Sequence, residues 1–186
     1  MPVPSPFPLR PSPDAGGVYL IRHPAVAVSG ICYGQSDVAL AEPVEALAAS
    51  LRTQLPHEFT LLASPLTRCR VLAEALGRPQ LDARLMEIDF GAWELQPWDE
   101  IDRSLLDVWA ADPLDFRSHG GESVRQMAGR AIAALEDALG ESGEPLVIVS
   151  HGGPLRAMLG HLRGLAPAEW LALRMDYGSL HRADRR

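Results

Sequence analysis

The chain contains no lysine: all 17 of its basic residues are arginine. That excludes a Walker-type phosphate loop, a Schiff-base enzyme and a lysine general base, each of which needs an amine. Cysteine is nearly as scarce. Cys32 and Cys69 have no metal-ligand spacing and read as free thiols in a reducing compartment. Aromatic residues make up only 6% of the sequence, so their clustering carries weight. No apolar run reaches the roughly 20 residues needed to cross a bilayer. The segment Met1–Pro13 lacks the apolar core of a signal peptide. A cytoplasmic protein with no membrane partner is therefore expected. A net charge of −7 argues against nucleic acid as a partner, yet a few clustered arginines can still reverse the field around a small anion.

What is present is a chain of 186 residues, 47% apolar, enough for one core with an inserted subdomain. Residues 1–16 carry six prolines and read as an irregular tail. The run Val18-Tyr-Leu-Ile-Arg-His23 is apolar on both faces and ends in an arginine and a histidine. Leu146-Val-Ile-Val-Ser-His-Gly-Gly153 repeats the pattern. Short, β-branched, fully apolar runs suit buried parallel strands. In open α/β sheets ligands bind beyond the carboxyl ends of the strands, so both histidines are expected to face one pocket.

Between these strands the spacing predicts a long loop over 24–42, a helix opened by Pro43, and a strand over 60–64. Ser64 and Pro65 are expected as N-cap and first residue of a helix reaching Leu76. An extended piece over 83–86 and a helix over 97–112 follow. Ser123 and Gln126 form a capping box for a long helix. Further helices are expected after Gly153 and at Pro167, and an edge strand over 171–177. Residues 179–186 read as a frayed tail. Strands alternating with helices give an α/β class, a three-layer α/β/α sandwich with a mostly parallel central sheet.

The polar groups expected at the carboxyl edge are Arg22, His23, Arg68 and His151. Planar guanidinium forks suit phosphate oxygens, and an imidazole held in line can attack phosphorus. The helix after His151 offers N–H groups to the same anion. The acid needed to protonate a leaving oxygen is sought in Glu87, with Asp89 as the alternative. A zinc site of His23, His151 and Glu87 is disfavoured because the two arginines oppose a cation. No metal or cofactor is expected.

Arg22-His23, Ser64-Pro-Leu-Thr-Arg68, Glu87 with Phe90-Gly-Ala-Trp-Glu94, and Ser150-His-Gly-Gly153 resemble the histidine phosphatase superfamily, which includes the phosphoglycerate mutases. The resemblance covers residues 17–178. It implies a phosphoglycerate mutase-like fold with a lid-like insertion over 88–122, and transient phosphorylation of His23. It further implies that Arg22, Arg68 and His151 hold the phosphoryl group and that Glu87 shuttles the proton. Gly152, Ser36 and Trp93 are the further expected substrate contacts. One departure is Pro24, where the family usually has glycine: proline offers no N–H.

The resemblance implies a hydrolase of small-molecule phosphate monoesters working through a phosphohistidine. The loop Gly30–Leu40 looks most like the α-ribazole phosphatase branch of cobalamin assembly. A phosphoglycerate mutase-type phosphotransferase, a protein phosphohistidine phosphatase and a non-catalytic phosphate-binding module are the alternatives. Phe90, Trp93, Trp98, Trp109 and Phe116 fall within 27 residues of one another. They are read either as a stacking surface for a flat leaving group or as packing of the insertion. Cys32 and Tyr33 read as loop packing, and His57, His119, His161 and His181 as structural, His119 with some claim to the pocket. Oligomeric state has no signal in the sequence.

Overall fold

Strand β1 (Gly17–Arg22) lies inside a five-stranded sheet because both of its faces are apolar. Val18 and Leu20 point to one side, where they pack with Ala131 and Leu135 of α4 (Val124–Glu141) and with Leu155 and Met158 of α5 (Gly152–Arg163). Tyr19 and Ile21 point to the other, against α1 (Glu45–Arg52) and α2 (Thr67–Leu76). The alternation of strand side chains thus produces the three expected layers. The computed structural model describes residues 16–117 and 120–185; the proline-rich tail apart from Gly16, and His119, lie outside them.

With β2 (Thr60–Ala63), β3 (Gln80–Leu81), β4 (Leu146–Ser150) and β5 (Leu180–Asp184), the sheet order is β3-β2-β4-β1-β5. All neighbours are parallel except β5, which runs antiparallel to β1. The register sets Arg22 against Ser150, so His23 and His151 leave the sheet at the same level.

Several expectations change. The edge strand is Leu180–Asp184, not 171–177, so residues 180–184 are no frayed tail; the alternating Leu-His-Arg-Ala-Asp pattern is that of a half-exposed edge. Residues 83–85 form a 3₁₀ turn rather than a strand, closed by the Asp82 carboxylate accepting from the Arg84 N–H. Helix α3 is shorter than 97–112: it spans Arg103–Ala111, because Asp102 caps it through the Ser104 N–H. The capping box at Ser123 and the short helix α6 (Pro167–Trp170) form where expected. Cys32 of the 24–42 loop packs with Trp93 and Ile101 in a small separate core. Among the described residues no helix is long and apolar enough to cross a membrane.

Candidate active site

Beyond the ends of β1 and β4, the His23 and His151 rings stand 5.1 Å apart. His23 is 2% exposed, and its Nδ1 lies 2.7 Å from the Pro24 carbonyl. A carbonyl only accepts, so Nδ1 carries the proton and Nε2 presents its lone pair. Burial pushes the His23 pKa down to about 3; the Pro24 bond opposes this, while Arg68 and Arg22 reinforce it. The ring is neutral, as a nucleophile must be. Pro24 still offers the carbonyl that the His23 ring uses.

Helix α2 begins later than the Ser64-Pro65 signal suggests, at Thr67 after an extended Leu66. Ser64 instead places its hydroxyl 2.8 Å from His151 Nε2. This displacement puts Arg68 in the first turn of α2, fully buried behind the histidines. Its Nε donates to His151 Nδ1 at 3.2 Å, and its two terminal nitrogens donate to the carbonyls of Ser36 and Gly34. Burial first, and then Arg68, His23 and Arg22, hold His151 well below its ordinary pKa. Arg22 donates to the Met175 carbonyl, while its Nε is buried with no partner among the described residues. A buried, unspent guanidinium donor calls for an acceptor, and an oxyanion supplies one.

The Gly34–Ser36 loop is held from below by Glu94. Its carboxylate accepts from the N–H groups of Gly34, Gln35, Ser36 and Phe90 at 2.9–3.1 Å. Burial works against the charge, but these donors hold Glu94 below the usual carboxylate range. Gly34 tolerates no side chain, since a Cβ would land on the Ile88 carbonyl. Asp37 closes the loop by accepting from the Thr67 N–H at 3.0 Å.

Glu87 faces α5: its carboxylate accepts from the Gly153 N–H at 3.2 Å. A Cβ at Gly153 would sit 2.4 Å from that carboxylate, so a side chain there would displace Glu87 from its bond to the Gly153 N–H. Arg130 fixes the turn by donating to the carbonyls of Arg84, Met86 and Glu87. Asp89, the alternative acid, is occupied in accepting from the Gly91 N–H at 2.7 Å. Gly152 lies against the Arg22 guanidinium. From Glu87 a cavity of about 180 Å³ opens, walled by Phe90, Trp109, Met127 and Trp170, with Arg156 also on its lining.

Arg22, His23, Arg68 and His151 are therefore brought together, with Glu87 beside the same helix start. Ser36 contributes its backbone to Arg68 and Glu94. Trp93 does not face the cavity: it is 4% exposed and stacked on Phe116 at 5.5 Å, so its bulk fills the small core instead. Trp98 lies flat on Trp109 at 6.0 Å. Reading the residues singly missed Ser64, Glu94 and Arg130, which act through neighbours distant in sequence. It also missed Tyr177, whose ring covers the Arg22 guanidinium at 3.9 Å.

A model of the histidine phosphatase superfamily (branch 1) matches residues 18–186. A probable phosphoglycerate mutase, GpmB, from Erwinia tasmaniensis is 32% identical over 90% of this chain and 84% of its own. The glucosyl-3-phosphoglycerate phosphatase of Mycolicibacterium vanbaalenii is 29% identical over 75% of this chain and 70% of its own. Among solved structures, a mycobacterial glucosyl-3-phosphoglycerate phosphatase in complex with VO3 superposes with a TM-score of 0.79 at 27% identity, covering 90% of this chain and 92% of that one.

Proposed function

This chain belongs to branch 1 of the histidine phosphatase superfamily, and from that premise we propose that it hydrolyses small-molecule phosphate monoesters without a metal. The observation that carries the reading is His23: neutral, with Nδ1 committed to Pro24 and Nε2 free, among guanidinium donors. The phosphoryl group lies between Arg22, Arg68 and His151. Nε2 attacks phosphorus, the ester P–O bond breaks, and Glu87 protonates the departing oxygen. Water then attacks the phosphohistidine, Glu87 takes its proton, and phosphate leaves. The arginines stabilise the charge on the three equatorial oxygens throughout.

His23→Ala should abolish turnover, and rapid quenching of the intact protein with substrate should trap an acid-labile, base-stable phosphoenzyme. Full activity in the variant, or an acid-stable phosphoenzyme, sinks the reading. Activity should persist in a chelator.

For the leaving group, the Phe90, Trp109 and Trp170 wall supports a flat, apolar alcohol such as α-ribazole, released from α-ribazole 5′-phosphate. Stacking on one ring is worth about 1–3 kcal/mol, so preference over ribose 5-phosphate should reach roughly ten-fold in kcat/KM. Trp109→Ala, rather than a Trp93 variant, should erase it. Equal rates on the two substrates rule out the ribazole assignment. The relatives named as mutases favour a second reading, phosphoryl return to another hydroxyl. Isomerisation of 3-phosphoglycerate in place of phosphate release is its signature.

A further inference from the structure

Two tyrosines meet beside the arginines and have no part in the scheme above. Tyr33 Oη and Tyr177 Oη are 2.8 Å apart, although 144 residues separate them. Tyr177 stands on the turn between α6 and β5, and that turn is tied to the end of β1 at three points. The Met175 carbonyl accepts from the Arg22 guanidinium, the Ser179 carbonyl accepts from the Arg22 N–H, and the Gly178 N–H donates to the His23 carbonyl. Gly178 takes φ +69°, which a side chain would strain, and a Cβ would also crowd Leu47. So anchored, the Tyr177 ring lies over Arg22 at 3.9 Å and 5.4 Å from the His23 ring. It is nonetheless 45% exposed, a large ring held at the surface. Tyr33 approaches from the other side, its ring 5.3 Å from the Arg68 guanidinium carbon. It immediately precedes Gly34, whose N–H is gripped by Glu94.

Two phenols that share one hydrogen bond use only one of their two protons. The accepting hydroxyl keeps its own proton for a third group. Burial, and then the bond to Tyr177, push the Tyr33 pKa upward, so its hydroxyl stays neutral and able to donate. The buried Arg22 Nε is a second unspent donor nearby. Pro24, next to the nucleophile, has no N–H to offer. Unspent donors around a nucleophile mark the place where oxyanion charge is held.

We propose that the Tyr33–Tyr177 hydroxyl pair is a phosphoryl-binding element that spans Arg22 and Arg68 and donates one hydrogen bond to a non-bridging oxygen. The inference rests on the phosphatase reading and adds to it one hydroxyl that touches the phosphoryl group and one that positions it.

Tyr33→Phe and Tyr177→Phe each remove one hydroxyl and keep the rings on their arginines, so either variant alone suffices for a test. Hydrolysis of p-nitrophenyl phosphate is followed by steady-state kinetics, and binding of orthophosphate and orthovanadate by calorimetry. Each variant should lose about ten-fold or more in kcat/KM, the scale of a hydrogen bond to a charged group. Affinity for vanadate, which mimics the five-coordinate state, should fall more than affinity for phosphate. The double variant should be little worse than either single one, because the hydroxyls act as a unit. Wild-type kinetics and vanadate affinity in both variants overturn the proposal and leave the phosphatase reading standing. Intact protein that neither hydrolyses the ester nor binds either anion overturns both.

Discussion

Arg68 Nε donates to His151 Nδ1 across 3.2 Å, and that bond fixes the state of the ring. Arginine can only donate, so Nδ1 holds a lone pair and the single proton of the neutral ring sits on Nε2, toward Ser64. His23 is neutral in the opposite tautomer, with its proton on Nδ1. The two imidazoles thus differ: His23 presents a lone pair at Nε2, while His151 gives its N–H to Ser64.

Both histidines should make the fold sensitive to mild acid. The His23 pKa falls from 6.5 to about 3 on folding, and that of His151 falls as well. Below pH 6.5 the unfolded chain takes up protons that the folded chain refuses. The stability contributed by the neutral rings is therefore complete above 6.5 and is lost as pH falls toward 3. For His23 this changes stability by about 1.4 kcal/mol per pH unit within that window, and His151 acts in the same direction. Urea midpoints between pH 7.5 and 5 should drop for the wild type and drop less for His23→Gln. Equal slopes would place His23 near its ordinary pKa.

Arg68→Lys should be costly although the charge survives. Arg68 is fully buried, and its fork reaches the carbonyls of Gly34 and Ser36 while Nε reaches His151. One ammonium cannot meet three acceptors in that plane and leaves buried groups unpaired, at about 1–3 kcal/mol each. Both kcat and KM should worsen, with a lower melting temperature. Near-normal kinetics and stability would mean that the phosphate does not depend on this fork.

Glu94→Gln tests whether the loop beneath Arg68 needs a carboxylate. Four backbone N–H groups converge on the two Glu94 oxygens, and an amide offers one acceptor oxygen while pointing two donors at the rest. The loop should loosen, and because its carbonyls hold Arg68, orthophosphate affinity should fall by about ten-fold or more. Unchanged affinity would confine Glu94 to packing. Leu95, next to it, is in a left-handed conformation at φ +64°, a local strain held by its N–H donating to the Cys32 carbonyl at 2.8 Å.

The parts of this site that lie on buried strands were legible in the chain. Val18–Ile21 and Leu146–Val149 are apolar on both faces, which only a central strand requires, so His23 and His151 could be placed at one edge. Arg68 could be placed because a helix had to follow β2. What stayed hidden depends on partners far away in sequence. Ser64 has the form of a helix cap but serves His151. Strand β5 carries Arg182 and His181 on an exposed edge and so resembles a basic tail. Tyr177 has no local pattern at all; its role comes from a turn pinned to Arg22 and His23. The aromatic cluster leaves both stacking and packing open in the sequence, and only the contacts separate buried Trp93 from cavity-lining Trp109.

The proton donor can be settled by leaving-group dependence. Glu87 meets the Gly153 N–H and opens onto the cavity, whereas the Asp89 carboxylate closes its own turn on Gly91. General acid assistance is worth about 10²–10⁴-fold and matters most when the leaving oxygen is a poor one. Glu87→Gln should therefore slow hydrolysis of an alkyl phosphate far more than that of p-nitrophenyl phosphate, whose phenolate departs without a proton. Asp89→Asn should slow both substrates alike, through the turn it supports. Measuring kcat/KM for the four enzyme–substrate pairs gives the answer as a ratio of ratios, in which a general loss of folding cancels. If the selective loss appears in Asp89→Asn and not in Glu87→Gln, the acid has been assigned to the wrong carboxylate.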